Sequence, residues 1–440
     1  MVKGLVIAAA LALIMNTVSV PETSAVDKAV ADFRSETKCE SVSVVVLDHG
    51  KVSYYGDKYA LYQIGSMTKS FTGVAVEKLI NDGQISEEDS VAKYIPGFTA
   101  YYGSSPVDIK INDLLTQKSG FSNSETDYPS ATAGMSLSDW AKSISGKELK
   151  SSPGTEYAYS NVNYNLLGLI IENASGKPYR EYIEIELLKP LGLNSTTVGE
   201  PQDKTNIRSG SRLGFRRTFR YDIPVREGSI PAGYFYSNAE DIGIWMNAWI
   251  KTSEPEMDSV LSHLEKEGDY YAGLERFAGD VIGHSGGTPN YSSRMIFSKS
   301  RGIGVCVLTN LNVAASTDSL CNNIFAELTG NSHGKLSCDV WTVFDIIFTS
   351  VSAAGFAFIL LIPFLKKKGI LIAAGIVNTL LLALILILFP IIFGAGLKDI
   401  ALVWSPWSFS AGLLILAAGV VCIAARYGVV KVNEGRKKTG

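Results

Sequence analysis

Three regimes of apolar and polar positions succeed one another along the chain. Near the start, Val42-Ser43-Val44-Val45-Val46-Leu47 is broken by Asp48-His49-Gly50-Lys51 and resumes at Val52-Ser53-Tyr54-Tyr55, which predicts a β-hairpin. From about Ile111 to Leu188 the period becomes helical, as in Asn165-Leu166-Leu167-Gly168-Leu169-Ile170-Ile171-Glu172. Strand patterns return at Tyr291 to Phe297 and Gly302 to Leu308. A sheet assembled from both ends with helices between them predicts an α+β fold. Past residue 340 come apolar runs at about 343–365, 370–393 and 404–425, each long enough to span a bilayer as a helix. The expected organisation is a domain at 26–339 followed by a membrane domain at 340–440.

The start and the charges give an orientation. One lysine and then the apolar Gly4 to Met15, with Thr23-Ser24-Ala25 as small residues for cleavage, read as a signal peptide over 1–25. Lys366-Lys367-Lys368 fills the first connection between spans, and Arg426, Lys431, Arg436, Lys437 and Lys438 fill the tail. The positive-inside rule then puts both in the cytoplasm and the first domain on the extracytoplasmic face of the cell membrane, as a signal peptide independently requires. Trp341, Trp404 and Trp407 fall at the expected outer ends, and Asp345 reads as interfacial there.

Composition removes several classes. A net charge of −3 gives no reason to expect nucleic acid, and Arg208, Arg212, Arg216, Arg217 and Arg220 read as a solvated hairpin. With 4 histidines and no clustered ligand set, neither a metal nor another cofactor is expected. Of the 5 cysteines, Cys422 lies in the last run, while Cys39, Cys306, Cys321 and Cys338 allow three pairings between which the sequence does not choose.

The chemistry sits in three short motifs. Ser66-Met67-Thr68-Lys69 opens a helical pattern that stops at Asn81-Asp82-Gly83, so Ser66 and Lys69 share one face and a buried lysine could take the serine proton. The same spacing recurs at Ser35–Lys38, Ser90–Lys93 and Ser332–Lys335, so context decides. In Tyr159-Ser160-Asn161, the tyrosine can move protons and the asparagine can bond a substrate amide. Gly283-His284-Ser285-Gly286-Gly287 precedes a strand and lets a substrate approach backbone N–H groups.

The ordered set Ser-x-x-Lys, Tyr-x-Asn, His-x-Gly resembles the penicillin-recognising serine hydrolases: class C β-lactamases, D-peptidases and related esterases. Leu114-Leu115-Thr116, Ser119-Gly120 and Pro190-Leu191-Gly192-Leu193 fit as well, so the resemblance covers roughly 26–335. With three spans following, and with Gly65 to Gly73, Ile230 to Tyr234 and Gly286 to Ser293, the chain looks like the membrane peptidases that mature colibactin and zwittermicin. Those enzymes remove an N-acyl-D-asparagine cap from an exported prodrug.

The resemblance implies a β-lactamase-like fold with Ser66 as nucleophile, Lys69 as base and Tyr159 as proton relay. It implies an oxyanion hole at the N–H groups of Ser66 and Gly287, and substrate contacts from Asn161, Ser229, His284, Ser285 and Asn290. Asn161 and Ser229 stand where the colibactin enzyme carries serine and histidine. The implied partners are an acylated peptide-like small molecule, the bilayer and a transporter that hands over the substrate. A cell-wall D-peptidase, esterase or β-lactamase is the alternative. A receptor acylated without turnover would need a cytoplasmic output domain, and Arg426 to Gly440 is too short for one.

Overall fold

The computed structural model describes residues 23–124, 127–332 and 334–439. The expected signal peptide lies almost wholly outside them. Seven strands form one antiparallel sheet: β1 (Val42–Asp48), β2 (Lys51–Tyr55), β3 (Tyr270–Tyr271), β4 (Leu274–Ala278), β5 (Val281–Thr288), β6 (Tyr291–Ser298) and β7 (Ile303–Thr309), in the order β3-β4-β5-β6-β7-β1-β2. The β1–β2 hairpin closes on Asp48 opposite Lys51, with His49 and Gly50 both at positive φ, as a tight two-residue turn requires.

Both faces of the sheet are covered, which explains the unbroken apolar run of β1. Val44 and Val46 pack with Val305 and Val307 under the helices α1 (Thr23–Thr37) and, further along the chain, Ala314–Leu328. Val45 and Leu47 face the opposite way into the main core, with Trp245 and Trp249 of the helix Ala239–Lys251. The helical middle contributes α2 (Thr68–Asn81) and α3 (Asn161–Ser175), which pack on each other.

After these come α4 (Val340–Leu361), α5 (Lys368–Phe393) and α6 (Trp407–Thr439), three helices long and apolar enough to cross a membrane. α6 packs along both α4 and α5. Asp345 on α4 is fully buried and has partners: its carboxylate accepts the Arg216 N–H at 2.8 Å and the Ser408 hydroxyl at 2.7 Å. It therefore joins the helices to the preceding domain, where the sequence suggested an interfacial residue. All five cysteines are unpaired.

Arg212 also departs from its expectation. It does lie in a hairpin, Ser211–Gly214 against Arg217–Arg220, yet it is buried rather than solvated. Its Nη1 and Nη2 donate to Leu402 O and Ala401 O, each at 2.7 Å, and its Nε donates to Ser405 O. The guanidinium lies 4.1 Å from the centre of the Trp407 ring. These carbonyls close the short helical turn Ile400–Trp404 between α5 and α6, where unpaired C=O groups favour a cation. Burial lowers the Arg212 pKa to about 10, so it is charged at neutral pH.

Candidate active site

Ser66 sits in a single 3-10 turn, Gly65–Met67, that feeds α2. That turn is pressed against β5. Gly65 has φ +52°, and a Cβ there would meet Gly287 N at 2.5 Å; one on Gly286 would meet Ile64 O at 2.0 Å. Only glycine at 65 and 286 lets the serine turn approach the strand so closely. The outcome is that Ser66 and the Gly287 backbone line one cavity of about 240 Å3.

Lys69 stands one turn on and is fully buried. Its Nζ is 3.0 Å from Ser66 Oγ, 2.7 Å from Asn161 Oδ1 and 2.6 Å from Ala232 O. Burial holds its pKa well below the ordinary lysine value. A neutral amine satisfies this geometry: two N–H groups donate to the two carbonyl oxygens, and the lone pair faces the Ser66 hydroxyl. The Tyr159 ring lies 4.9 Å from Nζ, and Ser66 is among the polar groups that act on its phenol. Burial raises the phenol pKa, so Tyr159 is an O–H donor rather than a phenolate.

Capping fixes Tyr159 and Asn161. Ser160 is the N-cap of α3, its hydroxyl accepting the Val162 N–H at 3.3 Å, so the residues beside it leave the cap in set directions. Gln117, held at φ +59°, accepts from Ser160 N at 2.9 Å and from Asn163 Nδ2 at 2.5 Å, and thus anchors this turn. The sequence reading passed over Gln117.

The remaining expected substrate residues divide. Asn161 and Ser229 line the cavity, and the Ser229 hydroxyl accepts the Ala131 N–H at 3.3 Å. His284 is buried behind Tyr159, ring centroids 6.0 Å apart, with Nδ1 donating to Ser285 O at 2.5 Å. Burial lowers its pKa to about 3, so it is neutral. Ser285 points to the other face of the sheet, its hydroxyl 2.9 Å from Asp318 Oδ1 and 2.5 Å from Arg294 Nη1. Asn290 is buried, donating to Tyr221 O at 2.8 Å and accepting from Thr288 Oγ1 at 3.1 Å. The structure does not bring His284, Ser285 or Asn290 to the cavity surface.

Other residues do reach it. Pro129, Ser130, Ile223 and Arg226 form part of the wall, and Ala395, Asp399, Val403 and Trp404 from the α5–α6 connection form another part. The connection between two membrane-type helices thus contributes directly to the pocket that contains Ser66. Among the described residues no group of three or more His, Cys, Asp or Glu is disposed to hold a metal ion.

The family model described as Beta-lactamase matches residues 26–323. "Protein flp" of Staphylococcus aureus strain COL is 31% identical over 269 residues, covering 57% of this chain and 53% of that protein. The "Putative D-alanyl-D-alanine carboxypeptidase" of Escherichia coli strain K12 is 36% identical over 149 residues, 31% of this chain and 33% of its own length. The matched stretch thus spans about half or less of these curated relatives. Among solved structures, the octameric penicillin-binding protein homologue from Pyrococcus abyssi shares the fold, with TM-score 0.62, 22% identity, and coverage of 74% of this chain and 81% of that one. A D-stereospecific amidohydrolase from Streptomyces does so with TM-score 0.56, 21% identity, and coverage of 71% and 100%. The chain belongs to the Beta-lactamase family and has a β-lactamase-like α+β fold followed by three apolar helices.

Proposed function

We propose that this protein is a membrane-anchored serine peptidase that hydrolyses an amide to release an N-acyl-D-amino acid, of the N-acyl-D-asparagine type, from a larger exported natural product. One observation carries the reading. A serine hydroxyl lies between a desolvated lysine and a neutral phenol, in a cavity partly walled by the connection between two membrane-type helices.

Neutral Lys69 takes the Ser66 proton as Oγ bonds to the amide carbon. The N–H groups of Ser66 and Gly287 receive the oxyanion. Collapse breaks the C–N bond, and Tyr159 relays a proton to the departing amine. The acyl group is left as an ester on Ser66. Water then attacks that ester, giving its proton back through the same groups, and the acid leaves. Asn161 both accepts from Lys69 and borders the cavity, so its amide N–H2 is free to meet the substrate carbonyl side.

In this account the hydrolase domain lies outside the cell membrane, with Lys366-Lys367-Lys368 and the basic tail inside, and the substrate arrives from a transporter or from the bilayer. A cell-wall D-peptidase is the second reading, favoured by the 36% identity to the protein named as a carboxypeptidase. Intact-protein mass spectrometry with an N-acyl-D-asparaginyl thioester tests the chemistry. The acyl mass should appear on the wild type and be absent from Ser66→Ala; an adduct that persists in the variant would remove Ser66 from the role.

A further inference from the structure

The α5–α6 connection places a carboxylate and an indole in the wall of the reactive cavity, and neither belongs to the catalytic set. Asp399 and Trp404 both line it, five residues apart on the turn that Arg212 holds by three carbonyls. The turn is braced further: the Tyr221 hydroxyl donates to Leu402 O at 2.8 Å, and the Ser410 hydroxyl donates to Ala401 O at 2.6 Å. Its position is therefore set by the hydrolase domain as well as by the helices.

Among the described residues, the Asp399 carboxylate has no hydrogen-bond or ion-pair partner; neighbouring Lys398 does not reach it. Arg226, the cation in the same cavity, makes no ion pair with it either. Among the described residues the cavity wall thus carries one carboxylate, Asp399, and one guanidinium, Arg226, and neither makes an ion pair with another described residue. A carboxylate and an aromatic ring lining one cavity are the chemistry that binds an ammonium group, through charge and through the ring quadrupole.

We infer that Asp399 and Trp404 form a cation subsite, contributed by the membrane domain, that selects substrates whose departing amine portion carries a second, protonated amino group. This rests on the peptidase reading above. Arg226 repels the same group from its own wall, so the two charges also orient the substrate. The departing amine takes its proton from the Tyr159 relay as before; the subsite changes which amide is accepted, not the bonds made or broken.

The test compares two amides with one N-acyl-D-asparaginyl part, one made with butylamine and the other with butane-1,4-diamine, whose far amine stays protonated. Wild type should favour the diamine amide in kcat/KM by about tenfold, chiefly through KM, and the ratio should fall toward unity in Asp399→Asn and at high salt. A ratio that Asp399→Asn leaves unchanged, or an equal loss on both substrates, overturns the subsite. A second readout does not need turnover. Tetramethylammonium should slow labelling of Ser66 by a neutral fluorophosphonate in wild type, and should not do so in Asp399→Asn, whose labelling without the cation reports a folded site. If neither amide is cleaved yet the cation still protects Ser66, the peptidase reading falls while the subsite stands. If wild-type labelling is indifferent to the cation, the subsite falls.

Discussion

Asn161→Asp tests whether Lys69 acts as a neutral base. Asn161 Oδ1 lies 2.7 Å from Lys69 Nζ, and the lysine is fully buried. The substitution keeps the oxygen in place and adds a negative charge. An opposite charge this close favours the protonated amine and raises its pKa by roughly 1–3 units. Wild-type Lys69 is held low by desolvation, so the variant moves the base back toward its ordinary, protonated state. Each unit by which the pKa rises above the working pH costs about tenfold in the neutral fraction, so a shift of about 2 units lowers Ser66 acylation near neutrality by up to about 100-fold, or about 2.7 kcal/mol. The rate should recover as pH rises, because the fully deprotonated base is the same group. The assay is the second-order acylation rate of Ser66 across roughly pH 6 to 10. A uniform loss at every pH, with no alkaline displacement, would show that Asn161 matters only to substrate. An unchanged profile would remove Lys69 as the base.

Other outcomes follow from the packing. Gly286→Ala puts a Cβ 2.0 Å from Ile64 O and should destabilise the protein by about 3 kcal/mol, whereas a Cβ on Gly287 meets nothing within 4 Å, so Gly287→Ala should melt like wild type; thermal unfolding separates them. Arg212→Ala leaves three carbonyls of the α5–α6 connection without their donor. It should cost about 3 kcal/mol, expose residues 394–406 to protease in detergent, and reduce acylation by loosening one wall of the cavity. Asp345→Leu strands the Arg216 N–H and the Ser408 hydroxyl; a loss of about 2–4 kcal/mol is expected, while Asp345→Asn, which keeps an acceptor, should lose less in the same melt.

The parts of the site that are local in sequence were legible. Ser66 and Lys69 meet because residues three apart on a helical turn share a face, and Tyr159 and Asn161 flank a capping serine. The apolar runs also announced α4 to α6, since span length follows from composition alone. The strand motif was over-read. Neighbouring residues of a strand face opposite sides, so His284 and Ser285 had no route to the same pocket, and period two alone says that Ser285 turns toward Asp318. Asn290 follows Pro289 in a turn, and its engagement with Tyr221, 69 positions away, has no local signal. Arg212 reaches Leu402 across 190 positions. A buried arginine and a solvated one look alike in sequence, because only the packing partner decides which it is. The contribution of Asp399 and Trp404 to the cavity is hidden for the same reason.

The most direct test of the account is mass spectrometry of the products formed when membranes carrying wild type or Ser66→Ala meet an N-myristoyl-D-asparaginyl amide and its L epimer. Release of N-myristoyl-D-asparagine by the wild type alone, with the L epimer left largely intact, is the result the account predicts. No release from either epimer, while a β-lactam or muropeptide still acylates Ser66, would contradict it and make the protein a cell-wall hydrolase.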